Sequence, residues 1–250
     1  MAEDHFGKDM AERYDDPADP MFAPVAVDPV VDLLVELARG GRALELGIGT
    51  GRIALPLAER GVHVHGIDLS EAMVAILHAK PGAERIDVTI GDFATTRVPG
   101  TFSVAYLVFN TIMNLTTQDE QVACFQNVAR HLESGGSFVV EVGVPALQRL
   151  PSGERIQAFH WEGPTRFGLD EIDVASQRLV SHHYRTIEGK LEVSSGPFRY
   201  VWPSELDLMA RLAGMTLRER WGGWQREPFT NDSTMHVSVW EKRSGSDLLV

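Results

Sequence analysis

Over the first 142 residues, short apolar runs alternate with segments in which apolar residues recur every three or four positions. The short runs predict buried β-strands over residues 43–46, 62–67, 86–90, 102–109 and 137–142. The helical periodicity predicts helices over residues 29–38, 53–60, 70–80 and 118–132. Strands that are apolar on both faces and alternate with helices are typical of a parallel sheet covered on both sides. We therefore predict an α/β fold built on a mostly parallel sheet.

The pattern changes after Pro145. The next block holds strand-like segments separated by turns, predicted over residues 172–175, 178–186 and 190–201. A helix and two strands then resume the first pattern, over residues 203–213, 216–221 and 235–242. We therefore expect residues 145–202 to form an antiparallel β insertion after the fifth strand of the main sheet.

The N-terminal stretch is polar and rich in proline, but Phe6, Met10 and Tyr14 recur at helical spacing. This spacing predicts a short amphipathic helix. Residues 1–40 are accordingly expected to form a helical cap, and residues 1–250 to form one domain that includes the insertion.

Charge and composition exclude several classes of function. The chain has 23 Lys and Arg against 35 Asp and Glu, a formal net charge of −12. This balance lacks the excess of cations that binds nucleic acids or acidic membranes, so neither is expected as a partner. The single cysteine, Cys124, excludes an intrachain disulfide and a cysteine-rich zinc site, and no metal is expected. With no signal-peptide pattern and no membrane-length apolar stretch, we expect a cytoplasmic protein.

A glycine-rich loop follows the first predicted strand. Glycines at 47, 49 and 51 let the backbone approach a ligand closely, because no β-carbon intervenes. The dinucleotide motif G-x-G-x-x-G would require a third glycine at position 52, where this chain has Arg52. A phosphate-binding P-loop would require a Gly-Lys-Ser or Gly-Lys-Thr ending, which is also absent. The loop therefore favours close approach to a ligand other than a dinucleotide.

Two further strand ends carry acidic residues. Asp68 ends the second strand, 21 residues after Gly47, where a carboxylate can accept both hydroxyls of a ribose. The third strand ends at Asp92-Phe93, which offers an acceptor for an exocyclic amine and an apolar ring surface for adenine. Because the carboxyl ends of parallel strands meet at one edge, the three strand ends together predict an adenosine pocket.

This arrangement resembles the class I S-adenosylmethionine-dependent methyltransferases over residues 40–142. The family's first motif, acid-x-G-x-G-x-G, is matched from Glu45 to Gly51, and its second-strand acid by Asp68. The segment from Ala11 to Asp15 is similar to the N-terminal segment of small-molecule methyltransferases, including aminosugar N-methyltransferases. The resemblance implies a Rossmann-like seven-stranded sheet and an enzyme that uses S-adenosylmethionine.

The resemblance also implies roles for individual residues. Gly47 and Gly49 would line the methionine portion of the donor, Asp68 would hold its ribose, and Tyr14 would lie over its methionine end. The alternative for Tyr14 is a half-buried anchor on the N-terminal helix. The complete set of expected donor-binding residues is Tyr14, Glu45, Gly47, Gly49, Gly51, Asp68, Leu69, Asp92, Phe93 and Phe109.

Methyl transfer is an in-line displacement, so the protein must align the reactants, exclude water and, for a protonated acceptor, supply a base. The candidates are Asn110, which closes the fourth strand, and the adjacent histidines His182 and His183. Strand alternation puts these two histidines on opposite faces of their strand. The alternatives are an asparagine that caps a loop and histidines with a structural role.

The predicted insertion after the fifth strand is relevant to how the acceptor is bound. A block of this size fits either a cover over a small-molecule acceptor or the contact of a homodimer. The acceptor atom stays open at this point: nitrogen or oxygen is expected, and carbon is a further alternative. Two other functions also stay open: a nicotinamide-dependent oxidoreductase, and a non-catalytic protein of the same fold that binds an adenosine ligand.

Overall fold

The computed structural model describes residues 7–16 and 19–243. The α-helices of this part are α1 (Lys8–Ala11), α2 (Pro24–Ala38), α3 (Ala54–Glu59), α4 (Glu71–His78), α5 (Gln118–His131) and α6 (Pro203–Leu212). Its strands are β1 (Arg42–Leu46), β2 (His63–Asp68), β3 (Ile86–Ile90), β4 (Phe102–Leu107), β5 (Leu132–Gly143), β6 (Ile156–Trp161), β7 (Arg166–Asp173), β8 (Arg178–Ile187), β9 (Lys190–Arg199), β10 (Met215–Trp221) and β11 (Met235–Lys242). Within these residues, no helix combines the length and the apolar character needed to cross a membrane.

Seven of these strands form the main sheet, in the order β3-β2-β1-β4-β5-β11-β10. The first five are parallel to one another, whereas β11 runs antiparallel to both β5 and β10. The prediction of a Rossmann-like, mostly parallel sheet is confirmed. The strand order reverses between β1 and β4, and such a point opens a crevice at the carboxyl ends of the strands.

The hydrophobic core lies on both faces of this sheet. Apolar residues of α2, α3 and α4 pack on one face, and those of α5 and α6 pack on the other. Two helix starts follow their sequence signals. The Ser70 hydroxyl accepts the Met73 N–H at the start of α4, and Thr117 and Glu120 form a capping box at the start of α5.

Two predicted boundaries differ from the structure. Helix α2 begins at Pro24 rather than at residue 29, and Pro29 lies inside it. Burial of the helix's apolar residues against the sheet outweighs the one hydrogen bond that a proline removes. Strand β5 begins at Leu132, immediately after α5, rather than at residue 137. A register shift between β4 and β5 marks this extension.

The insertion forms a second, antiparallel sheet in the order β6-β7-β8-β9. The sequence did not predict β6, and it placed the start of β7 at residue 172 instead of Arg166. A bulge between Ala158 and His160 explains the omission, because it breaks the alternation that identifies a strand.

The two faces of the second sheet differ in what they contact. Ile172 and Leu179 are buried on one face, with Met113 from the loop after β4 packed against them. We call this the inner face; by strand alternation it comprises Gly168, Asp170, Ile172, Leu179, Ser181, His183, Glu192, Ser194, Gly196 and Phe198. The opposite, outer face carries Phe167, Leu169, His182, Tyr184 and Val193.

The N-terminal helix is shorter than its predicted spacing implies. Helix α1 ends at Ala11, and Tyr14 lies in the turn after it. Phe6 lies outside the described residues, as do the other residues of the expected cap at positions 1–5, 17 and 18.

Candidate functional site

The glycine loop leaves β1 at the carboxyl edge of the main sheet. The Gly47 N–H donates to the carbonyl of Ile67 at 2.8 Å, which ties the loop to β2. Gly47, Gly49 and Gly51 have φ angles of 73°, 55° and 83°. A residue with a β-carbon adopts such left-handed backbone at a cost of about 1–2 kcal/mol. A Cβ at Gly47 would also lie 2.6 Å from Cγ2 of Thr111. The loop therefore requires glycine at this position.

Asp68 closes the loop from the end of β2. Its Oδ2 accepts the Gly49 N–H at 2.6 Å, and its Oδ1 accepts the Ser70 N–H at 2.9 Å. These two bonds fix the carboxylate between the glycine loop and the start of α4, with the half-buried Leu69 beside it. A carboxylate has about four lone-pair sites, so both oxygens can accept further hydrogen bonds from hydroxyl groups.

A buried acid lies directly beneath the loop. Glu45 is only 3% exposed, and its carboxyl accepts a hydrogen bond from the Tyr106 hydroxyl at 2.9 Å. Burial raises the pKa of Glu45 to about 8, although the Tyr106 hydrogen bond and the nearby Arg52 both favour its charged form. Glu45 therefore stays protonated at neutral pH in the ligand-free protein.

Part of the N-terminal segment is fastened to the glycine loop. Asp15 accepts a hydrogen bond from the Thr50 hydroxyl at 2.6 Å and forms an ion pair with Lys80 at 2.5 Å. The Lys80 ammonium also donates to the Thr50 carbonyl at 2.7 Å. These contacts hold the neighbouring Tyr14 over the cleft, where burial raises the pKa of its phenol.

The end of β4 presents Phe109 and Asn110 in left-handed backbone, with φ angles of 57° and 60°. The Phe109 N–H donates to the Glu141 carboxylate at 2.8 Å, and Asn110 Oδ1 accepts the Gly143 N–H at 2.7 Å. The Asn110 side chain thus links the ends of β4 and β5, as in the loop-capping alternative. The Phe109 ring is 45% exposed at the edge of the cleft.

The Arg52 side chain, which lines the cleft, contacts Phe109 and Met21. Its guanidinium lies 5.3 Å from the centroid of the Phe109 ring and donates to the Met21 carbonyl at 3.1 Å. The candidate set from the sequence omits both Arg52 and Thr111. The position of Arg52 directly after the glycine motif was a usable signal, whereas nothing in the sequence connects Thr111 to Gly47.

Asp92 and Phe93 follow the end of β3, where Asp92 is partly exposed and the Phe93 side chain is buried. Asp92 accepts the Ala94 N–H at 2.8 Å, and Phe93 is 8% exposed within the core cluster that includes α5. The Phe93 ring therefore offers the cleft little surface for an adenine ring. Its expected role remains a prediction.

Several of these residues line a cleft beside the glycine loop. Its lining includes residues from the N-terminal segment, the glycine loop and the end of β4, namely Tyr14, Glu45, Gly47, Ile48, Gly49, Thr50, Arg52, Ile53, Val108, Phe109 and Thr111. The close approach of the backbone at Gly47 and the oriented carboxylate of Asp68 are features expected of a site for the adenosyl donor. Gly51, Asp68, Leu69, Asp92 and Phe93 are not among the residues that line the cleft. Tyr14, Glu45, Gly47, Gly49 and Phe109 from the predicted set all line this cleft.

The structure separates the two candidate histidines. His182 lies on the outer face of the second sheet and bonds to the Ser195 hydroxyl at 2.8 Å. His183 lies on the inner face, edge-on to Phe159 with ring centroids 5.1 Å apart. Burial is the main reason that the pKa of His183 is lowered. Only His183 shares a face with residues that contact the main sheet's end.

Comparison with known proteins bears directly on this cleft. The model of the methyltransferase domain family matches residues 43–136, which contain the glycine loop and Asp68. The CcbJ methyltransferase of Streptomyces caelestis is 34% identical, with a TM-score of 0.84 over 97% of this chain and 100% of that one.

Two further matches extend the comparison. The cypemycin N-terminal methyltransferase of a Streptomyces species is 28% identical over 82% of this chain and 84% of its own length. The S-adenosylmethionine-bound structure of CalS10, an amino pentose methyltransferase of Micromonospora echinaspora, is 20% identical. It has a TM-score of 0.63 over 96% of this chain and 99% of that one, which establishes a shared fold.

Proposed function

Because the chain belongs to the class I S-adenosylmethionine-dependent methyltransferases, we propose that it methylates an amine nitrogen of a small-molecule acceptor. The observation that carries the proposal is the donor cleft itself. Its glycine loop approaches a ligand through backbone atoms, and the Asp68 carboxylate is already oriented by two N–H groups. Such a carboxylate accepts the two hydroxyls of a ribose without any rearrangement of the loop.

When bound, S-adenosylmethionine supplies a methyl group that its sulfonium makes electrophilic. The protein then has to align the acceptor and exclude water, and it needs no nucleophile of its own. Gly47 and Gly49 admit the methionine portion, and Asp68 holds the sugar. Tyr14 and Phe109 both line the cleft, where their rings would screen the reacting atoms from solvent.

Two observations support a small acceptor with an amine. The second sheet packs through Ile172 and Leu179 against Met113, just after the end of β4, as expected of a cover over a small-molecule acceptor. The cypemycin relative is named for methylation at an N-terminus. A free amine has a lone pair that can attack the methyl carbon directly, so the protein needs only to orient it.

Calorimetry with S-adenosylhomocysteine tests the donor site. We expect saturable binding by the wild type, and binding weaker by about 1–3 kcal/mol in Asp68→Ala through loss of charged hydrogen bonds. Asp87→Ala is the matched control, because Asp87 is an exposed carboxylate on the neighbouring strand β3. Binding of NAD without binding of S-adenosylhomocysteine would contradict the proposal, as would an unchanged affinity in Asp68→Ala.

A further inference from the structure

We propose that Asp170, on the inner face of the second sheet, binds the amino group of the acceptor and so selects amines over alcohols. This inference rests on the proposed methylation of an amine, and it adds the side chain that recognises the acceptor. The inference is based on three features of the inner face: its position, the exposed side chains in its middle part and the charge of Asp170.

Two contacts bring the inner face near residues of the donor cleft. At one end Ile172 and Leu179 pack with Met113, two residues after Thr111 of the cleft. At the other end Glu192 meets Arg13 at 3.5 Å, next to Tyr14 of the cleft. From these two contacts we infer that the part of the inner face between them is turned toward the cleft.

This middle part of the inner face is not packed against the main sheet. Phe159 is 45% exposed beside the exposed His183, whereas Ile172 and Leu179 at the base are buried. Gly168 contributes to this shape, since a Cβ there would lie 2.2 Å from Cζ of Phe159. The absence of a side chain allows the Phe159 ring to lie along the sheet as an apolar wall.

Asp170 lies between the packed base and the open part of this face. Its Oδ1 accepts the Ser181 hydroxyl at 2.5 Å, and within residues 7–16 and 19–243 no cation is paired with it. Two other partly buried acids have such a partner: Glu205 pairs with Arg199 at 2.6 Å and Asp207 with Arg220 at 2.7 Å.

A partly buried carboxylate without a cation favours binding of a positive charge. Burial raises the pKa of Asp170, while the Ser181 hydrogen bond and the nearby His182 lower it. A bound ammonium would favour the charged form of the carboxyl. A charge-assisted hydrogen bond is roughly twice as strong as a neutral one, so an amine gains more here than the corresponding alcohol. Before transfer the ammonium would lose one proton to solvent. The neutral nitrogen would then form the N–C bond while the S–C bond of the sulfonium breaks, and the donor would leave as the neutral thioether.

The test measures binding of small amines to the complex with S-adenosylhomocysteine. Matched probes are benzylamine with benzyl alcohol, and glucosamine with glucose. We expect at least one amine to bind the wild-type complex more tightly than its alcohol, and its affinity to fall as salt rises. Asp170→Asn should weaken amine binding by about tenfold, abolish its dependence on salt and leave alcohol binding unchanged.

Glu171→Gln is the matched control, since Glu171 is the next residue along β7, on the outer face, and the change in charge is the same. It should bind the amine like the wild type. Asp170→Ala is a second test if Asp170→Asn does not fold. Equal amine affinity in the Asp170 variants and the wild type would overturn the inference, as would a wild-type complex that binds none of the amines. Failure of S-adenosylhomocysteine itself to bind would instead contradict the proposed function.

Discussion

The glycine loop and the inner face of the second sheet, to which we assign donor and acceptor binding, are built from different groups. At the loop, backbone N–H groups and the Asp68 carboxylate hold one another in place. On the inner face, the functional groups are side chains of antiparallel strands, and within the described part of the chain the Asp170 carboxylate accepts a hydrogen bond only from the Ser181 hydroxyl.

At the glycine loop, the fold alone holds the binding groups in place. On the inner face, the Asp170 carboxylate would gain a charged partner only when the acceptor binds. The shape of the loop depends on its left-handed backbone conformation, and only glycine fits at position 47. The inner face can change its side chains without disturbing a strand, because each one stands on a regular ladder. Donor recognition is therefore fixed by the fold, whereas acceptor recognition can vary on a constant scaffold.

The largest expected effect comes from Gly47→Ala, with Gly61→Ala as its control. Both glycines have positive φ, 73° and 84°, but a Cβ at Gly61 meets no atom within 4 Å. Gly61→Ala should lower the free energy of unfolding by about 1–2 kcal/mol and leave S-adenosylhomocysteine affinity unchanged. Gly47→Ala should cost about 1–3 kcal/mol more, because its Cβ collides with Thr111.

Calorimetry and chemical denaturation of the two variants measure these effects. Gly47→Ala should also bind S-adenosylhomocysteine at least about tenfold more weakly, since the displaced loop loses its fit. If both variants bound the ligand like the wild type, the donor site would not depend on the backbone of this loop.

The second prediction concerns pH and the buried acid beneath the loop. Because the pKa of Glu45 rises from 4.5 in the unfolded chain to about 8 in the folded one, the folded state retains a proton that the unfolded state loses. The contribution to stability is fully present below pH 4.5 and is lost as pH rises toward 8. Over this window it amounts to a few kcal/mol, roughly 1.4 kcal/mol per pH unit.

Glu45→Gln removes this titration. Its free energy of unfolding should therefore fall less between pH 5 and pH 8 than that of the wild type, as measured by urea denaturation of the ligand-free proteins. Parallel pH profiles for the two proteins would show that Glu45 is ionised in the folded state.

The smallest expected effect distinguishes the two faces of the second sheet. His183→Ala should reduce amine binding or turnover by about threefold, the size of one lost hydrogen bond, without changing donor affinity. His182→Ala should leave both unchanged, because His182 lies on the outer face. A larger loss in His182→Ala than in His183→Ala would reverse our assignment of the inner face.

Local sequence patterns predicted much of the glycine loop and its acidic partner, but little of the contacts that distant segments make with them. The spacing of Gly47, Gly49 and Asp68 was informative because a strand followed by a turn places these residues at one edge. Asp15 and Lys80 are 65 positions apart, and no local pattern indicates that they meet at 2.5 Å. The burial of the Phe93 side chain likewise depends on the core around α5, which the strand pattern does not describe.

The sequence by itself determined the parallel α/β sheet, the order of its elements and the glycine loop with its acidic partner. These depend on hydrophobic periodicity and on backbone conformations that few residues allow, and both are local properties. Only the tertiary structure decided that His183 and Asp170 share a face with the buried Ile172 and Leu179, and that β6 exists. Those outcomes depend on strand register, on a bulge and on packing between distant segments, whose energies come from contacts far apart in the chain.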